Sequence, residues 1–526
     1  MKRMTVRIVS AVLLLALALS MVACGSGDDT TASTYGPLPA DLDFTVDLSD
    51  IKTGSVSSGV AVHDPSILEV DGTYYIYGSH MAAAKCTNLL RWKLIANNYN
   101  KVNPIFGHIY DVYEDAFAWA GAPTSLNPTD DADRGGGEHV WAPDVIYNET
   151  TGLYYMYYCT TSTWNCSNLC FATCETPDGK FQWQGTLLYS GFTKNTIQHT
   201  DVLDYVDEYE ASLEYLTSGG GYNYKECPNA IDPSVFYDDE GRMWMVYGSW
   251  SGGIYLLELD PATGLVIHPE DDPANDVDAY FGKKLLGGDH KSIEAPYILP
   301  LNGYYYLFVS YGALNREGGY QIRVFRSDKP DGNYVDMNGK TPYGGGHAAY
   351  GLKLSGNYTL PSIIKAYMAT GHNSAFTASD GKSYVVFHTR FDNGNEAHSP
   401  RVHQFLLNEE GWICMLPYQT RGETVSATGY STEQVAGRYY VINQGMAIDA
   451  KIAKPFILYF LADGRVAGKD ISGFWTCTDG TYYVHFNLGD QEFSGVFCKM
   501  YDEAGTPVMT FSAVGSNESV WGVKYD

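Results

Sequence analysis

The chain has 526 residues, a formal charge of −27 at neutral pH, 43 tyrosines and 10 tryptophans. So acidic a chain repels a phosphate backbone, which excludes nucleic acid as a partner and disfavours strongly anionic polysaccharides, while leaving neutral glycans unaffected. The aromatic excess suits twisted β-sheet and the stacking of sugar rings, with most of the rings expected in strand packing.

At the N-terminus, Lys2, Arg3 and Arg7 precede an apolar run from Ile8 to Leu19, followed by Met21-Val22-Ala23-Cys24. A basic start, a short apolar stretch and small residues before a cut describe a secretory signal over residues 1–23, and the run is too short for a comfortable membrane span. Small residues before a cysteine, then Gly25-Ser26-Gly27-Asp28-Asp29, resemble a bacterial lipobox, in which Cys24 becomes the lipidated terminus. Residues 24–45 then read as a flexible, lipid-anchored linker. The expectation is an exported monomer at the bacterial cell surface or outside the cell, touching a membrane only through that anchor.

From residue 46 to about 430 one pattern recurs five times: a polar, mostly acidic residue in a short apolar segment, then a turn with Gly, then an aromatic strand. The copies are His63-Asp64-Pro65-Ser66, Trp141-Ala142-Pro143-Asp144, Ile231-Asp232-Pro233-Ser234, Ile293-Glu294-Ala295-Pro296 and Gly371-His372-Asn373-Ser374. The strands that follow include Tyr74-Tyr75-Ile76-Tyr77, Tyr154-Tyr155-Met156-Tyr157 and Tyr304-Tyr305-Tyr306. Steps of 62 to 88 residues between positions 64, 144, 232, 294 and 372 exceed a solenoid repeat and suit propeller blades with loop insertions. The fold expected is all-β, a five-bladed β-propeller whose equivalent positions converge on one central cavity.

Polar or Gly-rich insertions fall at about 103–138, 195–228 and 341–370, each before a key residue, so these loops are expected to rim one face of that cavity. Cys159, Cys166, Cys170 and Cys174 cluster in the second repeat, where an exported protein could form disulfides. Their spacing does not give the two CxxC knuckles of a zinc site. The repeat pattern stops after Trp412. Residues 431–526 hold short alternating segments with Asp463-Gly464 and Asp479-Gly480 turns, which suits a small C-terminal β-barrel or sandwich that packs or touches glycan.

Cleavage of a glycosidic bond needs one carboxylic acid held protonated and a second carboxylate as base or nucleophile. Asp64, Asp232 and Glu294 come from three different repeats, and clustered carboxylates raise each other's pKa. A single Asp-Pro pair is ordinarily a turn. Three acids at equivalent positions are harder to explain that way, because a buried acid is costly without a partner. Asp144 reads as a structural acid, and Trp141 and Trp250 as either sugar platforms or blade packing.

These motifs, with Gly248-Ser249-Trp250-Ser251-Gly252-Gly253-Ile254 and His388-Thr389-Arg390-Phe391, resemble glycoside hydrolase family 43, in its endo-α-1,5-L-arabinanase branch with an extra C-terminal β domain. The resemblance runs from about 60 to 526. It implies an inverting glycosidase acting on internal α-1,5-L-arabinofuranosidic bonds of plant cell-wall arabinan. It also implies Asp64 as general base, Glu294 as general acid and Asp232 as the acid that tunes and orients Glu294. Asn229, Ser249, Trp250 and Trp141 are the candidate substrate contacts, and His372 is expected beside a mostly hydrated calcium ion. The segment from Gly248 departs from the branch's usual Gly-Ser-Phe-Trp-Ser-Gly-Ile, which bears on the sugar contacts there. The alternatives are an exo-acting α-L-arabinofuranosidase or β-xylosidase on the same fold, or a glycan-binding propeller without catalysis.

Overall fold

The computed structural model describes residues 37–97, 103–106, 119–120, 140–161, 165–344 and 346–525. The signal segment, Cys24 and most of the first insertion lie outside the described residues. Phe44–Asp526 forms one compact unit.

Five antiparallel sheets, each from one continuous stretch of chain, are the blades. Blade 1 runs from Ser66–Val70 to Lys93–Ala96, blade 2 from Val140–Asn148 to Gln182–Ser190, and blade 3 from Ser234–Tyr237 to Gly282–Leu286. Blade 4 runs from Ile293–Leu301 to Leu352–Ser355 and blade 5 from Tyr367–Thr377 to Ile413–Met415. Continuous apolar and aromatic runs, as in the fully buried Met243–Tyr247, give the inner strands two apolar faces, because both sides of an inner blade strand are covered by neighbouring blades. The first strands of the blades touch in the order 1-2-3-4-5-1, which closes the ring. Two sequence-based boundaries shift. The insertion at 341–370 contains the fourth strand of blade 4, and the last strand of blade 5 lies just beyond Trp412.

Each first strand carries a kink at its axial end. Asp64, Ala142, Asp232, Ala295 and His372 all have positive φ, between 42° and 57°, and in blades 1 to 4 a proline follows immediately. The structurally equivalent positions are therefore 64, 142, 232, 295 and 372. Asp144 lies two residues after its kink and Glu294 one before, so the five side chains singled out by the repeat do not share one register. Register shifts at Trp141/Asp144, Glu294/Tyr297 and Gly371/Ser374 mark the same bulges in blades 2, 4 and 5. A bulge re-aims a side chain, and left-handed backbone at Asp or His costs about 1–2 kcal/mol, so the surrounding bonds must hold it.

Those bonds form a circuit around the axis. Asp144 of blade 2 accepts from Ser66 Oγ of blade 1 and from the Val235 amide of blade 3 at 2.7 Å. Asp232 accepts from the Ala295 amide of blade 4 at 3.3 Å. The His372 amide donates to Ser310 Oγ of blade 4 at 2.8 Å, and Ser374 Oγ donates to the Pro65 carbonyl of blade 1 at 2.7 Å. Every neighbouring pair of blades is thus joined by at least one hydrogen bond. Each contributes about 1 kcal/mol net, and far more is lost when one partner is removed.

The C-terminal strands, Gly437–Asn443 to Glu518–Lys524, form a closed eight-stranded barrel whose first and last strands pair. Barrel residues Val496, Cys498, Trp521 and Val523 share one apolar core with Leu352, Tyr358 and Phe405 of blades 4 and 5. The nine described cysteines are all free thiols. In blade 2 the ladder sets Cys159 opposite Leu169, Cys170 opposite Tyr158 and Cys174 opposite Tyr154, so no two sulfurs face each other there.

Candidate active site

Asp64, buried at the kink of blade 1, is gripped by imidazoles. Its Oδ1 lies 2.7 Å from His63 Nδ1, 2.9 Å from His372 Nδ1 and 3.6 Å from His388 Nδ1. Its Oδ2 accepts from Ser79 Oγ, which in turn accepts from the Ala142 amide at 3.0 Å. The His63 and His388 rings stack with centroids 3.8 Å apart. Behind them, Arg390 reaches His388 Nε2 at 3.2 Å and His63 Nε2 at 3.3 Å, while its Nε pairs with Glu396 at 2.7 Å. Burial alone would raise the Asp64 carboxyl. The charges and hydrogen bonds of His372 and His63 outweigh it and hold Asp64 well below the usual carboxylate range. His372, against the pull of burial, is pushed up to about 9 by Asp64 first and by Asp232 and Glu294 after it.

Glu294 is set up the opposite way. Tyr320 donates to its Oε1 at 2.7 Å; Trp250 Nε1 and Ser249 Oγ donate to its Oε2 at 2.6 and 3.3 Å. Burial raises its carboxyl despite these three donors and the charge of His372, and the Asp64 charge adds to the rise. Asp232 is pushed up to about 7 by burial, then by repulsion from Glu294 and Asp64, with His372 opposing. Asp232 and Glu294 titrate as a pair, both raised above the usual carboxylate range, whereas Asp64 is held below it. Acid and base are thereby separated by environment, which is the arrangement that general acid–base hydrolysis requires.

Glycine provides the room. A Cβ on Gly371 would stand 2.3 Å from the Tyr320 ring, so the absence of a side chain there lets Tyr320 reach Glu294. A Cβ on Gly78 would meet the His63 carbonyl at 2.1 Å.

Of the four candidate substrate contacts, Ser249 and Trp250 meet Glu294. Trp141 is half-buried against the core between blades 2 and 3, and Asn229 is buried with its Oδ1 accepting from Ser190 Oγ at 3.3 Å. Tyr320, Ser79 and Arg390 had no role in the sequence reading. His63 lies inside a repeated motif, and His388 and Arg390 inside the separate segment His388-Thr389-Arg390-Phe391, so all three were visible in the sequence. Tyr320, in a segment that reads as an outer strand, carried no signal.

The donor set bears on calcium. Among the described residues one group brings three ligand atoms together, His63, Asp64 and His388, and His372 is outside it. Calcium takes six to eight oxygens, so this nitrogen-rich trio does not suit a directly caged ion. A calcium ion here would have to keep most of its own water.

A model of the glycosyl hydrolases family 43 matches residues 56–206 and 219–413, and a C-terminal lipocalin-like domain model matches 417–522. The chain belongs to glycosyl hydrolase family 43. It is 34% identical over 502 residues to extracellular endo-α-(1→5)-L-arabinanase 2 of Bacillus subtilis, covering 91% of this chain and 96% of that protein. It is 36% identical over 487 residues to the extracellular endo-α-(1→5)-L-arabinanase of Thermotoga petrophila, covering 88% and 94%. The crystal structure of the Thermotoga petrophila endo-1,5-α-L-arabinanase superposes with a TM-score of 0.76 at 35% identity, covering 90% of this chain and 99% of that one. A family 43 glycoside hydrolase of Bacillus licheniformis gives 0.75 at 34%, with the same coverage. The family model leaves out residues 207–218, which hold the helix Glu208–Glu214 of the second insertion.

Proposed function

We propose that this family 43 enzyme hydrolyses internal α-1,5-L-arabinofuranosidic bonds of plant cell-wall arabinan with inversion at the anomeric carbon. The observation that carries this reading is the opposite treatment of two carboxyls in one ring of blades: Asp64 held ionised by histidines, Glu294 raised by burial. In this reading Asp64 draws the proton from the attacking water, and Glu294 protonates the departing glycosidic oxygen. Asp232, bonded to the amide next to Glu294, orients that acid and keeps it protonated by repulsion. The relatives named as endo-arabinanases supply the substrate class and the internal site of attack. The testing experiment is a time course of products from debranched arabinan, xylan and galactan. Early oligosaccharides from arabinan support the reading, and arabinose alone, or preference for xylan, rejects it.

Calcium, the lipid anchor and the monomeric state belong to the same proposal. A hydrated cation near His372 would offset the crowded carboxylates and favour the ionised form of Asp64. The signal-like residues 1–23 and the lipobox-like Cys24 support export of the enzyme, in keeping with relatives named as extracellular. Replacing Cys24 by Ala should release it from the cell surface into the medium.

A further inference from the structure

A second feature begins at Glu294 and runs outward from it. The Trp250 ring, whose Nε1 bonds Glu294, lies 5.4 Å from the His290 ring at 54°. His290 lies 5.1 Å from the Tyr224 ring at 85°. Trp250 is half-buried, whereas His290 and Tyr224 are both exposed. Three loops supply the rings, those around Trp250, around His290, and the end of the second insertion.

The backbone beneath them is strained and pinned. Trp250, Ser251, Asp289 and His290 all have positive φ, at 49°, 27°, 51° and 55°. Such conformations persist only where surrounding structure imposes them, and they cluster at functional sites. Here the His290 amide donates to Ser251 O, the Asp289 amide to Lys225 O and the Gly252 amide to Cys227 O, at 2.8–2.9 Å. Asp289 also pairs with Lys291 at 3.1 Å and Lys225 at 3.6 Å. Single exposed aromatics need no explanation, but three in ring contact, leading from a catalytic acid to solvent on a rigid base, do.

We propose that Trp250, His290 and Tyr224 form a leaving-group-side track that holds the arabinofuranosyl residues beyond the one whose oxygen Glu294 protonates. The proposal rests on the arabinanase reading above. In it, Glu294 borders the departing half of the chain while the water activated by Asp64 attacks from the other side, so rings continuous with Glu294 serve the departing half. A pentofuranose offers C–H faces to aromatic rings, and the turn from one ring to the next suits a chain whose successive sugars are rotated. Uncharged stacking also fits a neutral glycan.

The test compares the parent enzyme with His290→Ala, Tyr224→Ala and the double variant on an aryl α-L-arabinofuranoside and on linear α-1,5-arabino-oligosaccharides of two to six residues. The expected result is a loss of kcat/KM that grows with chain length, about tenfold larger for the double variant on the hexamer than on the aryl glycoside. The loss should lie mainly in KM, and Tyr224→Phe should restore parent behaviour. Intrinsic tryptophan fluorescence titrated with the hexamer in a Glu294→Ala background gives a second reading, a weakened Kd in the same variants. A loss equal on all substrates, or none at any length, would overturn the track while leaving the arabinanase reading intact. A parent inert on every arabinoside would overturn that reading, and the track with it.

Discussion

Gly371→Ala perturbs the site through a single methyl group. The new Cβ would stand 2.3 Å from both Cδ1 and Cε1 of Tyr320, a ring that is 1% exposed and has Glu294 at the end of its hydroxyl. Ordinary carbon contact requires the ring to retreat by about 1 Å, which breaks the 2.7 Å hydrogen bond to Glu294 Oε1. If Glu294 is the acid proposed above, losing that bond costs about 1–3 kcal/mol, or about 5- to 150-fold in kcat/KM on arabinan. Overpacking also lowers stability by about 1–3 kcal/mol, so rates are compared well below the melting temperature of the variant. Tyr320→Phe, which lacks the bond from the start, provides the control. On that background Gly371→Ala should cost no more than about threefold, because there is no hydrogen bond left to displace. Gly371→Ala with kcat/KM within twofold of the parent, or losses that add fully in the double variant, would refute the role assigned to Tyr320.

Other expectations follow from the same geometry. Tyr320→Phe removes a bond that lowers the Glu294 carboxyl, so the alkaline limb of the pH–rate profile should move to higher pH; Asp232→Asn removes a repelling charge, so the limb should move to lower pH. Movement of both limbs in one direction would contradict the assignment. Asp144→Ala leaves Ser66 and the Val235 amide without their partner and should cost about 2–4 kcal/mol in unfolding experiments, with the alkaline limb unmoved. Glu294→Ala should lose most activity on arabinan and much less on an aryl glycoside with a good leaving group, whereas Asp64→Ala should lose both. Thorough chelation should lower activity and calcium restore it, with His372→Ala retaining less metal on analysis of folded protein; a metal-free enzyme of full activity would remove calcium from the site.

The five blades were legible because each repeat couples a turn to an aromatic strand, and that pairing is local. Asp64, Asp232 and Glu294 were legible for the same reason. The exact equivalence was not. The repeat aligns polar residues, whereas the fold aligns the left-handed residue, followed by proline in blades 1 to 4, and the two coincide at Asp64, Asp232 and His372 but not at Asp144 or Glu294. Asp144 shows why this matters: its carboxyl ties blades 1, 2 and 3 together, a role that depends on partners 78 and 91 residues away. Tyr320 and Ser79 escaped notice because a hydroxyl in a strand or turn has no pattern until the ring of blades brings a carboxylate to it. The fourth strand of blade 4 read as insertion because Leu352–Ser355 is short and pairs across a long loop.

The division of labour between Asp64 and Glu294 is tested most directly by proton NMR of debranched arabinan during the first turnovers. Water delivered from the Asp64 side, opposite a bond protonated by Glu294, gives new reducing ends that are β-anomers at first and reach the equilibrium mixture only by mutarotation. The expected result is that β signal, on oligosaccharides rather than free arabinose. New reducing ends that appear first as α-anomers would contradict direct attack by water and remove Asp64 from the role of base.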